Sequence, residues 1–251
     1  MLVPERQEAI MNLIKQQHAV TVAGLSRTLF VSETSIRRDL THLEKLGLIR
    51  KTYGGAILIQ GENDVIALSA RMETEKEAKN LIARKAVSLV RNGSVIFLDS
   101  SSTALTMVPY LAKLDSLTVM TNGARIAYAF ADHPHVKVYC SGGLLMHSLY
   151  SYHGTIAQRV LSGMHADLSF VSVKALDIGK GAFCANEEEA QVRHIMQQNS
   201  ERSILLCNSK KFGRTSAFHL CALRDVDTIV TDQPPDANWS ACLSSLGVTC
   251  L

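Results

Sequence analysis

The chain lacks several features that would place it in common protein classes. Among its 251 residues, no apolar run approaches the roughly 20 residues that a membrane-spanning helix requires, so no membrane partner is expected. A Walker-type phosphate loop and a Ser–His–Asp order are both missing. The first residues lead directly into a predicted helix and do not resemble a targeting peptide. These absences favour a cytoplasmic protein over a secreted or membrane protein.

The six cysteines form no Cys-x-x-Cys pair. In a cytoplasmic protein they are expected to be reduced and mostly buried thiols. The alternative is a metal site made from Cys140, Cys184 and Cys207 with nearby histidines such as His194, but these spacings match no zinc pattern. We therefore predict neither a metal nor a cofactor.

Positive charge is concentrated at the start of the chain. The sequence has 26 Lys and Arg against 23 Asp and Glu, a net charge of +3. Residues 1–60 hold eight of the basic and five of the acidic residues, which leaves 18 of each sign in the remainder. This local surplus is modest, and phosphate binding would gain from two such segments acting together. The charge pattern therefore favours a homo-oligomer, at least a dimer.

One amphipathic helix is predicted between Ser32 and the C-terminal stop at Gly47. Ser32 is a suitable N-cap, and Ile36, Leu40 and Leu43 form an apolar stripe. The other side presents basic and hydroxyl-bearing side chains, which are Thr34, Arg38, Thr41 and Lys45, with Arg37 on the flank. Such groups bind phosphates and base edges, and a helix fits the B-DNA major groove. Alone, the pattern is equally compatible with an ordinary solvated face.

The flanking segments favour the DNA-binding interpretation. Glu5–Gln17 and Val22–Leu29 are predicted helices, and only three residues separate the second from the helix described above. Two short helices joined by a tight turn are typical of a helix-turn-helix. The following segment, 48–58, has two apolar runs around a basic Gly-Gly stretch and predicts a hairpin wing, with Arg50 and Lys51 near phosphates.

A polar linker at 59–73 is predicted to separate this domain, 1–58, from a second domain, 74–251. Short apolar, β-branched-rich runs then alternate with helical segments; the runs are Ser94–Leu98, Leu117–Met120, Val136–Cys140, Leu168–Val173, Ile204–Cys207 and Thr228–Thr231. This alternation predicts an α/β domain with a mostly parallel sheet covered on both faces. Ligands of such sheets lie beyond the carboxyl ends of the strands.

Small polar residues follow these predicted strand ends. The first strand leads into a helix through Asp99, Ser100, Ser101, Ser102 and Thr103. Hydroxyls and free N–H groups at a helix N-terminus can hold a phosphate, although serine and threonine are also ordinary helix caps. Later strands end at Thr121, Asn122, Gly142, Gly143 and Lys211, where each sequence is also typical of a turn. Together these residues predict a site for a hydroxylated anion, with the lysine complementing a phosphate.

The N-terminal motifs resemble the DeoR family of bacterial transcription regulators. They are Ser32-x-x-Ser35-Ile36-Arg37-Arg38-Asp39-Leu40, Leu43-Glu44-x-x-Gly47 and Arg50-Lys51-Thr52-Tyr53-Gly54-Gly55-Ala56. The family signature is V-S-x-x-T-I-R-R-D-L, L-E-x-x-G and R-x-H-G-G-A, so Ser35 replaces Thr and Tyr53 replaces His. The resemblance implies that the helix beginning at Ser32 is a recognition helix. The predicted DNA-binding residues are Ser32, Thr34, Ser35, Arg37, Arg38, Thr41, Lys45, Arg50 and Lys51. The alternative for Asp39 is that it orients the arginines or caps locally and does not contact DNA.

The second half also resembles this family, whose sensor domain has the sugar-phosphate isomerase/CoA-transferase type of fold. The family patterns D-x-G-[ST]-T, T-N-S, G-G and D-x-S-K-F-G align with Asp99–Thr103, Thr121–Gly123, Gly142–Gly143 and Asn208–Gly213. Departures from the family pattern occur at Ser101 for Gly, Asn208 for Asp and Lys210 for Ser, and at Ser172 and Ala175, where glycines are frequent. A side chain added where glycine let the ligand approach the backbone narrows a pocket. The departures thus predict an effector different from a common sugar phosphate.

These features predict a transcriptional repressor of a carbohydrate-metabolism operon. Its partners would be an operator duplex and an effector, a phosphorylated sugar or related metabolite. The alternative is a sugar-phosphate isomerase-like enzyme with an accessory DNA-binding domain, using Asp99 and a carboxylate from Glu187–Glu189. We favour the first interpretation, because three acidic residues in the first turn of a predicted helix, Glu187–Asn199, are stabilised there by the helix dipole.

Overall fold

The structure is a computed structural model that describes residues 2–17, 19–45, 48–58 and 68–251. Contacts between residues divide the chain into two units, Met1–Glu73 and Thr74–Leu251.

The first unit is a helix-turn-helix with a wing. Its elements are α1 (Val3–Gln17), β1 (Ala19–Thr21), α2 (Val22–Leu29), α3 (Glu33–Lys45), β2 (Ile49–Thr52), β3 (Gly55–Leu58) and α4 (Leu68–Glu73). The three strands pair antiparallel in the order β1-β3-β2. Ile10 and Ile14 of α1 pack with the apolar stripe of α3 in one buried cluster. The predicted helices and hairpin are confirmed, whereas β1 was missed because three residues are too short to show a period.

A close backbone approach explains how β1 joins the wing. A Cβ atom added at Gly55 would lie 2.0 Å from the carbonyl oxygen of Val20, so only glycine allows β1 and β3 to pair here. The neighbouring Gly54 has a φ of +89°, which closes the turn of the hairpin. The Gly-Gly pair of the sequence therefore performs two separate tasks.

The second unit contains nearly all of the remaining elements. They are α5 (Lys76–Val87), β4 (Val95–Leu98), α6 (Ser102–Leu111), β5 (Leu117–Thr121), α7 (Ala124–Ala129), β6 (Val136–Cys140), β7 (Leu144–Met146), β8 (Ser151–His153), α8 (Gly154–Ser162), β9 (Ala166–Ser172), β10 (Ala175–Asp177), β11 (Gly181–Cys184), α9 (Glu187–Gln198), β12 (Ser200–Leu206), β13 (Phe218–Cys221), β14 (Thr228–Val230), α10 (Ala237–Ser245) and β15 (Thr249–Cys250). Two short 3₁₀ helices, Ser209–Lys211 and Leu223–Asp225, complete the unit.

Seven parallel strands form the main sheet, in the order β15-β14-β12-β9-β4-β5-β6. Successive residues of a strand enter different apolar clusters: Phe97 belongs to one, and Ile96 and Leu98 belong to the other. Both faces of the sheet are thus covered, as predicted. From β4 the chain builds outward through β5 and β6, and it returns to add β9 on the other side. The strand order therefore reverses between β4 and β9, which is where ligands bind in sheets of this kind.

Several boundaries differ from those predicted. Residues 59–67 of the predicted linker lie outside the described residues, and Leu68–Glu73 form α4, in which Leu68 and Ala70 are buried. Strand β12 begins at Ser200 rather than Ile204, because pairing with β9 extends through a polar segment that has no apolar pattern. The antiparallel strands β10, β11 and β13 and the β7–β8 hairpin were also missed.

Candidate DNA-binding surface and effector site

Helix α3, the predicted recognition helix, is fixed by its cap and its apolar stripe. Ser32 accepts a hydrogen bond through Oγ from the backbone N–H of Ser35 at 3.3 Å, as its predicted N-cap role requires. Ile36, Leu40 and Leu43 are buried, which holds this face of the helix against the domain core. The face opposite them is left toward solvent.

Asp39 has a structural role in the motif of two arginines and an aspartate. Its carboxylate is buried and accepts hydrogen bonds from Arg6 Nε at 2.5 Å and from Gln7 Nε2 at 3.2 Å. Both partners lie on α1, and the hydrogen bond raises the pKa of the Arg6 guanidinium. Asp39 therefore locks α3 onto α1 instead of orienting Arg37 or Arg38.

The predicted DNA-binding residues lie on α3 and on the wing. Those with exposed side chains are Ser32, Thr34, Arg37, Arg38, Arg50 and Lys51, while Ser35 and Thr41 are half-buried. Arg37 pairs with Glu33 at 3.1 Å, but both side chains are exposed, so the pair adds little stability. Lys45 is the last residue of α3, and its side chain lies outside the described part of the structure. One exposed, mostly cationic surface thus contains most of the predicted set.

The wing is attached to α3 through Lys51. The backbone N–H of Lys51 donates to Glu44 Oε1 at 2.7 Å, and its Nζ donates to Thr41 Oγ1 at 3.0 Å. Two predicted DNA-binding residues, Thr41 and Lys51, are therefore in contact. This contact makes the helix and the wing one surface.

The predicted effector residues lie at the carboxyl edge of the main sheet. Asp99, Ser100 and Ser101 follow β4, Thr121 ends β5 and Asn122 follows it, Gly142 and Gly143 follow β6, and Lys211 follows β12. Neighbouring strand ends are in contact: Asn122 Nδ2 donates to Ser100 Oγ at 3.4 Å, and Lys211 Nζ donates to the carbonyl oxygen of Val173 at 2.6 Å. Asn122 Oδ1 is buried without a hydrogen-bond partner, so this amide retains an unused acceptor.

The serine-rich segment after β4 is buried and forms the N-terminus of α6. Ser101 accepts a hydrogen bond through Oγ from the N–H of Ala104 at 3.1 Å and caps the helix. The side chain of Ser101, which replaces the glycine of the family pattern, therefore serves as the cap of this helix. Ser102 and Thr103 form the first turn, with exposures of 5% and 4%.

Backbone geometry also accounts for the two glycines after β6. Gly142 and Gly143 have φ values of +60° and +110°, and a Cβ atom on Gly143 would lie 2.7 Å from the carbonyl oxygen of His153. Gly143 thus allows the chain to pass close to the end of β8.

Asp99 joins the two sides of the strand-order reversal. Its Oδ1 accepts from the N–H of Ser101 at 3.1 Å. Its Oδ2 accepts from the N–H of Ser172, at the end of β9, at 3.0 Å and from Arg193 Nε at 2.7 Å. All of these groups belong to buried residues. Asp99 therefore ties β4, β9 and α9 together.

Arg193 is the centre of a charged cluster that the sequence interpretation missed. Its guanidinium also contacts Glu189 Oε1 at 3.2 Å and Cys184 Sγ at 3.4 Å. Burial alone would lower the pKa of Arg193, but the carboxylates of Glu189 and Asp99 raise it well above its usual value. Burial also raises the pKa of the Cys184 thiol. The Arg193 guanidinium therefore stays positively charged between the two carboxylates.

His153 lies next to this cluster and was also missed. It is buried, and its Nε2 is 2.7 Å from Ser151 Oγ. Burial lowers the pKa of His153. The side chain is therefore a neutral hydrogen-bonding group at neutral pH.

A sequence signal for Arg193 did exist. Arg193 shares the inward side of α9 with Ala190 and Met196, so a charged residue lies on an apolar stripe. Such a residue needs a buried partner. The pattern does not reveal that the partner, Asp99, comes from a distant strand end.

The six cysteines differ in how deeply they are buried. Cys184, Cys207 and Cys221 are buried, but Cys242 and Cys250 are half-buried and Cys140 is exposed, so fewer thiols are buried than predicted. Burial raises the pKa of Cys207 to about 12.

Across the described ranges, no group of three or more His, Cys, Asp or Glu side chains is placed to hold a metal ion. None of the helices in these ranges has the length and apolar character needed to cross a membrane.

The chain matches two family models that together cover both units. One, described as the DeoR-like helix-turn-helix domain, matches residues 6–62. The other, described as the DeoR C terminal sensor domain, matches residues 74–233.

Similar proteins align with more than nine-tenths of the chain. The HTH-type transcriptional regulator GolR of Listeria innocua is 33% identical over 228 residues, 91% of this chain and 90% of its own. The HTH-type transcriptional repressor GlcR of Bacillus subtilis is 32% identical, covering 98% of this chain and 95% of its own. Among solved structures, ribose 5-phosphate isomerase A of Methanocaldococcus jannaschii aligns with 55% of each chain at 16% identity and a TM-score of 0.41. With both family models matched and these relatives aligned, the chain belongs to the DeoR family of DNA-binding transcriptional regulators.

Proposed function

We propose that this regulator is a cytoplasmic repressor that binds its operator through α3 and the wing. The observation that carries the proposal is the exposed surface containing Arg37, Arg38 and Arg50, whose charge Asp39 does not neutralise because its carboxylate is buried against α1. Arginine forks bind guanine edges and phosphates. The name of the similar protein GlcR, a transcriptional repressor, favours repression over activation.

The effector site of the proposal is the carboxyl edge of the main sheet. Its ligand is a phosphorylated sugar or related metabolite, which signals the state of a carbohydrate pathway. Ser100–Thr103 and Lys211 would hold the phosphate, and Asn122, with its unused acceptor, would bind a hydroxyl. Gly142 and Gly143 would border the ligand at the end of β6. Thr121 supports this edge by accepting a hydrogen bond from the N–H of Gly123 at 2.9 Å.

Asp99 acts in this proposal as a support for the site rather than as a catalytic base. Three donors already occupy its carboxylate, and Glu189 is paired with Arg193. A catalytic base must instead face the sugar carbon from within hydrogen-bond reach, whereas both oxygens of Asp99 bind buried protein groups. The acidic residues before Glu189 lie in the first turn of α9, as predicted.

Regulation would follow from unequal binding of the effector to two arrangements of a homo-oligomer. An effector that prefers the arrangement unable to bind DNA lowers operator affinity by its differential affinity for the two states. The segment at 59–73, between the DNA-binding domain and the sensor domain, is where the change would be transmitted.

Two measurements test this proposal. The first selects operator duplexes from a random library with the purified full-length protein and measures their affinity. The second screens sugars, sugar phosphates, sugar acids and cyclitols by thermal shift and then by release of the selected duplex. A phosphorylated sugar that shifts the midpoint and releases DNA is expected. Failure to enrich any duplex would refute the DNA-binding part, and turnover of a sugar phosphate by the same protein would favour the enzyme alternative.

A further inference from the structure

The tip of the wing presents an aromatic side chain that the DNA-binding set above does not include. Tyr53 lies in the two-residue turn between β2 and β3, and its side chain is fully exposed. Tyr53 stands where the family signature given above has histidine. A single exposed tyrosine is not unusual by itself. Its backbone and its neighbours make it informative.

The backbone that carries Tyr53 is held firmly. The carbonyl oxygen of Gly54, the next residue, accepts a hydrogen bond from the N–H of Val22 at 2.8 Å. On either side of the turn, Thr52 and Gly55 are paired in the antiparallel ladder. The side chain thus projects from a fixed backbone, which reduces the entropy lost when it binds a partner.

The neighbours of Tyr53 indicate the charge of that partner. Residues 49–58 include Arg50 and Lys51 and contain no Asp or Glu. Lys51 also joins the wing to Thr41 of α3 through the 3.0 Å hydrogen bond described above. The tyrosine therefore extends the same cationic surface that faces DNA in the proposed function.

We infer that Tyr53 enters the minor groove of the operator, beside the major groove that α3 occupies. The narrower minor groove admits a single side chain, and its A·T pairs present only the acceptors N3 of adenine and O2 of thymine. The phenol O–H can donate to either acceptor. At a G·C pair the N2 amino group of guanine projects into the groove and offers a donor instead. Tyr53 thereby selects A·T pairs flanking the bases that α3 contacts. This inference rests on the proposed function.

The test uses a duplex selected from a random library by the full-length protein. We compare Tyr53→Phe with the wild type on three versions of the flanking pairs: A·T, G·C and inosine·C, which lacks the guanine amino group. The wild type should bind A·T and inosine·C alike and G·C about fivefold more weakly, the equivalent of one net hydrogen bond. Tyr53→Phe should lose about fivefold on A·T and no longer discriminate.

Controls separate this contact from general effects. Tyr128→Phe changes another highly exposed tyrosine, in the sensor domain, and should leave binding unchanged. Lys51→Ala should lower the slope of log affinity against log salt by about one phosphate contact, whereas Tyr53→Phe, which removes no charge, should leave that slope unchanged.

Two outcomes would overturn the inference. In one, Tyr53→Phe binds all three duplexes as the wild type does, with the same minor-groove footprint. In the other, Tyr53→Ala alters the oligomeric state without DNA, which would assign the side chain to a contact between copies. Failure of the proposed function looks different: the wild type then enriches no duplex, or Arg38→Ala binds as tightly as the wild type.

Discussion

The two units expose their functional residues differently. On the proposed DNA-binding surface Arg37, Arg38 and Arg50 extend into solvent, whereas Asp99 and Asn122 at the sheet edge are each about 1% exposed. The first surface is complete before its partner arrives. At the proposed effector site, most polar groups already have protein partners, so an effector bound there would replace hydrogen bonds within the protein.

The largest expected effect comes from removing the buried carboxylate of the sensor. Asp99→Ala leaves Arg193 without its closest partner and two backbone N–H groups unsatisfied. Breaking a buried pair in this way should lower the free energy of unfolding by about 3–5 kcal/mol. Urea unfolding of the full chain measures it.

Asp177→Ala is the matched control for that variant. Its carboxylate also accepts from two backbone N–H groups, those of Gly179 and Lys180, but in an exposed turn. Asp177→Ala should lower the free energy of unfolding by about 1 kcal/mol. Equal losses for the two aspartates would contradict a special role for the buried cluster.

The second-largest expected effect is on operator binding by the exposed surface of α3 and the wing. Arg38→Ala should weaken binding to a selected operator by about thirtyfold, because an arginine fork contributes about 1–3 kcal/mol of base discrimination. Effector binding and thermal stability should not change. The measurement is fluorescence anisotropy at fixed salt, with Arg224→Ala, an exposed arginine of the sensor, as the control. Unchanged operator affinity would refute the assignment of α3 as the recognition helix.

The contrast between the two units also explains which features the sequence could predict. The bounds of α2 and the cap at Ser32 were predictable because caps, helical periods and turns are local signals. The parallel sheet followed from the alternation of strand and helix patterns. The pairing of Asp99 with Arg193 could not be predicted, because these residues are 94 positions apart and meet only after folding. For the same reason the surroundings of His153 were missed: its hydrogen bond to Ser151 is local, but its interactions with Glu189 and Arg193 form only once β8 approaches α9.

A third variant tests whether the sensor exchanges internal contacts for ligand contacts. Lys211→Ala removes an ammonium group that donates to the carbonyl oxygen of Val173. It should weaken binding of a phosphorylated effector by about tenfold, a typical value for a charged hydrogen bond, without changing operator affinity. Isothermal titration calorimetry with the effector from the thermal-shift screen measures it.

Lys210→Ala is the control for the lysine variant. Lys210 pairs with Glu75 at 2.5 Å, and both side chains are substantially exposed. Its removal should leave effector affinity unchanged. If instead Lys210→Ala weakens effector binding and Lys211→Ala does not, the two adjacent lysines have been assigned the wrong roles.

The smallest expected effect lies in the DNA-binding unit, where one exposed residue has an unfavourable backbone. Phe30, between α2 and α3, has a φ of +54° and a side chain that is 94% exposed. A left-handed conformation costs a residue with a Cβ roughly 1–2 kcal/mol, and glycine avoids this cost but loses more entropy on folding. Phe30→Gly should therefore raise the free energy of unfolding by about 0.5–1 kcal/mol. Phe30→Ala removes the ring but keeps the Cβ, so it should give no comparable gain in urea unfolding. If alanine stabilises the protein as much as glycine does, the exposed ring rather than the backbone is the source of instability.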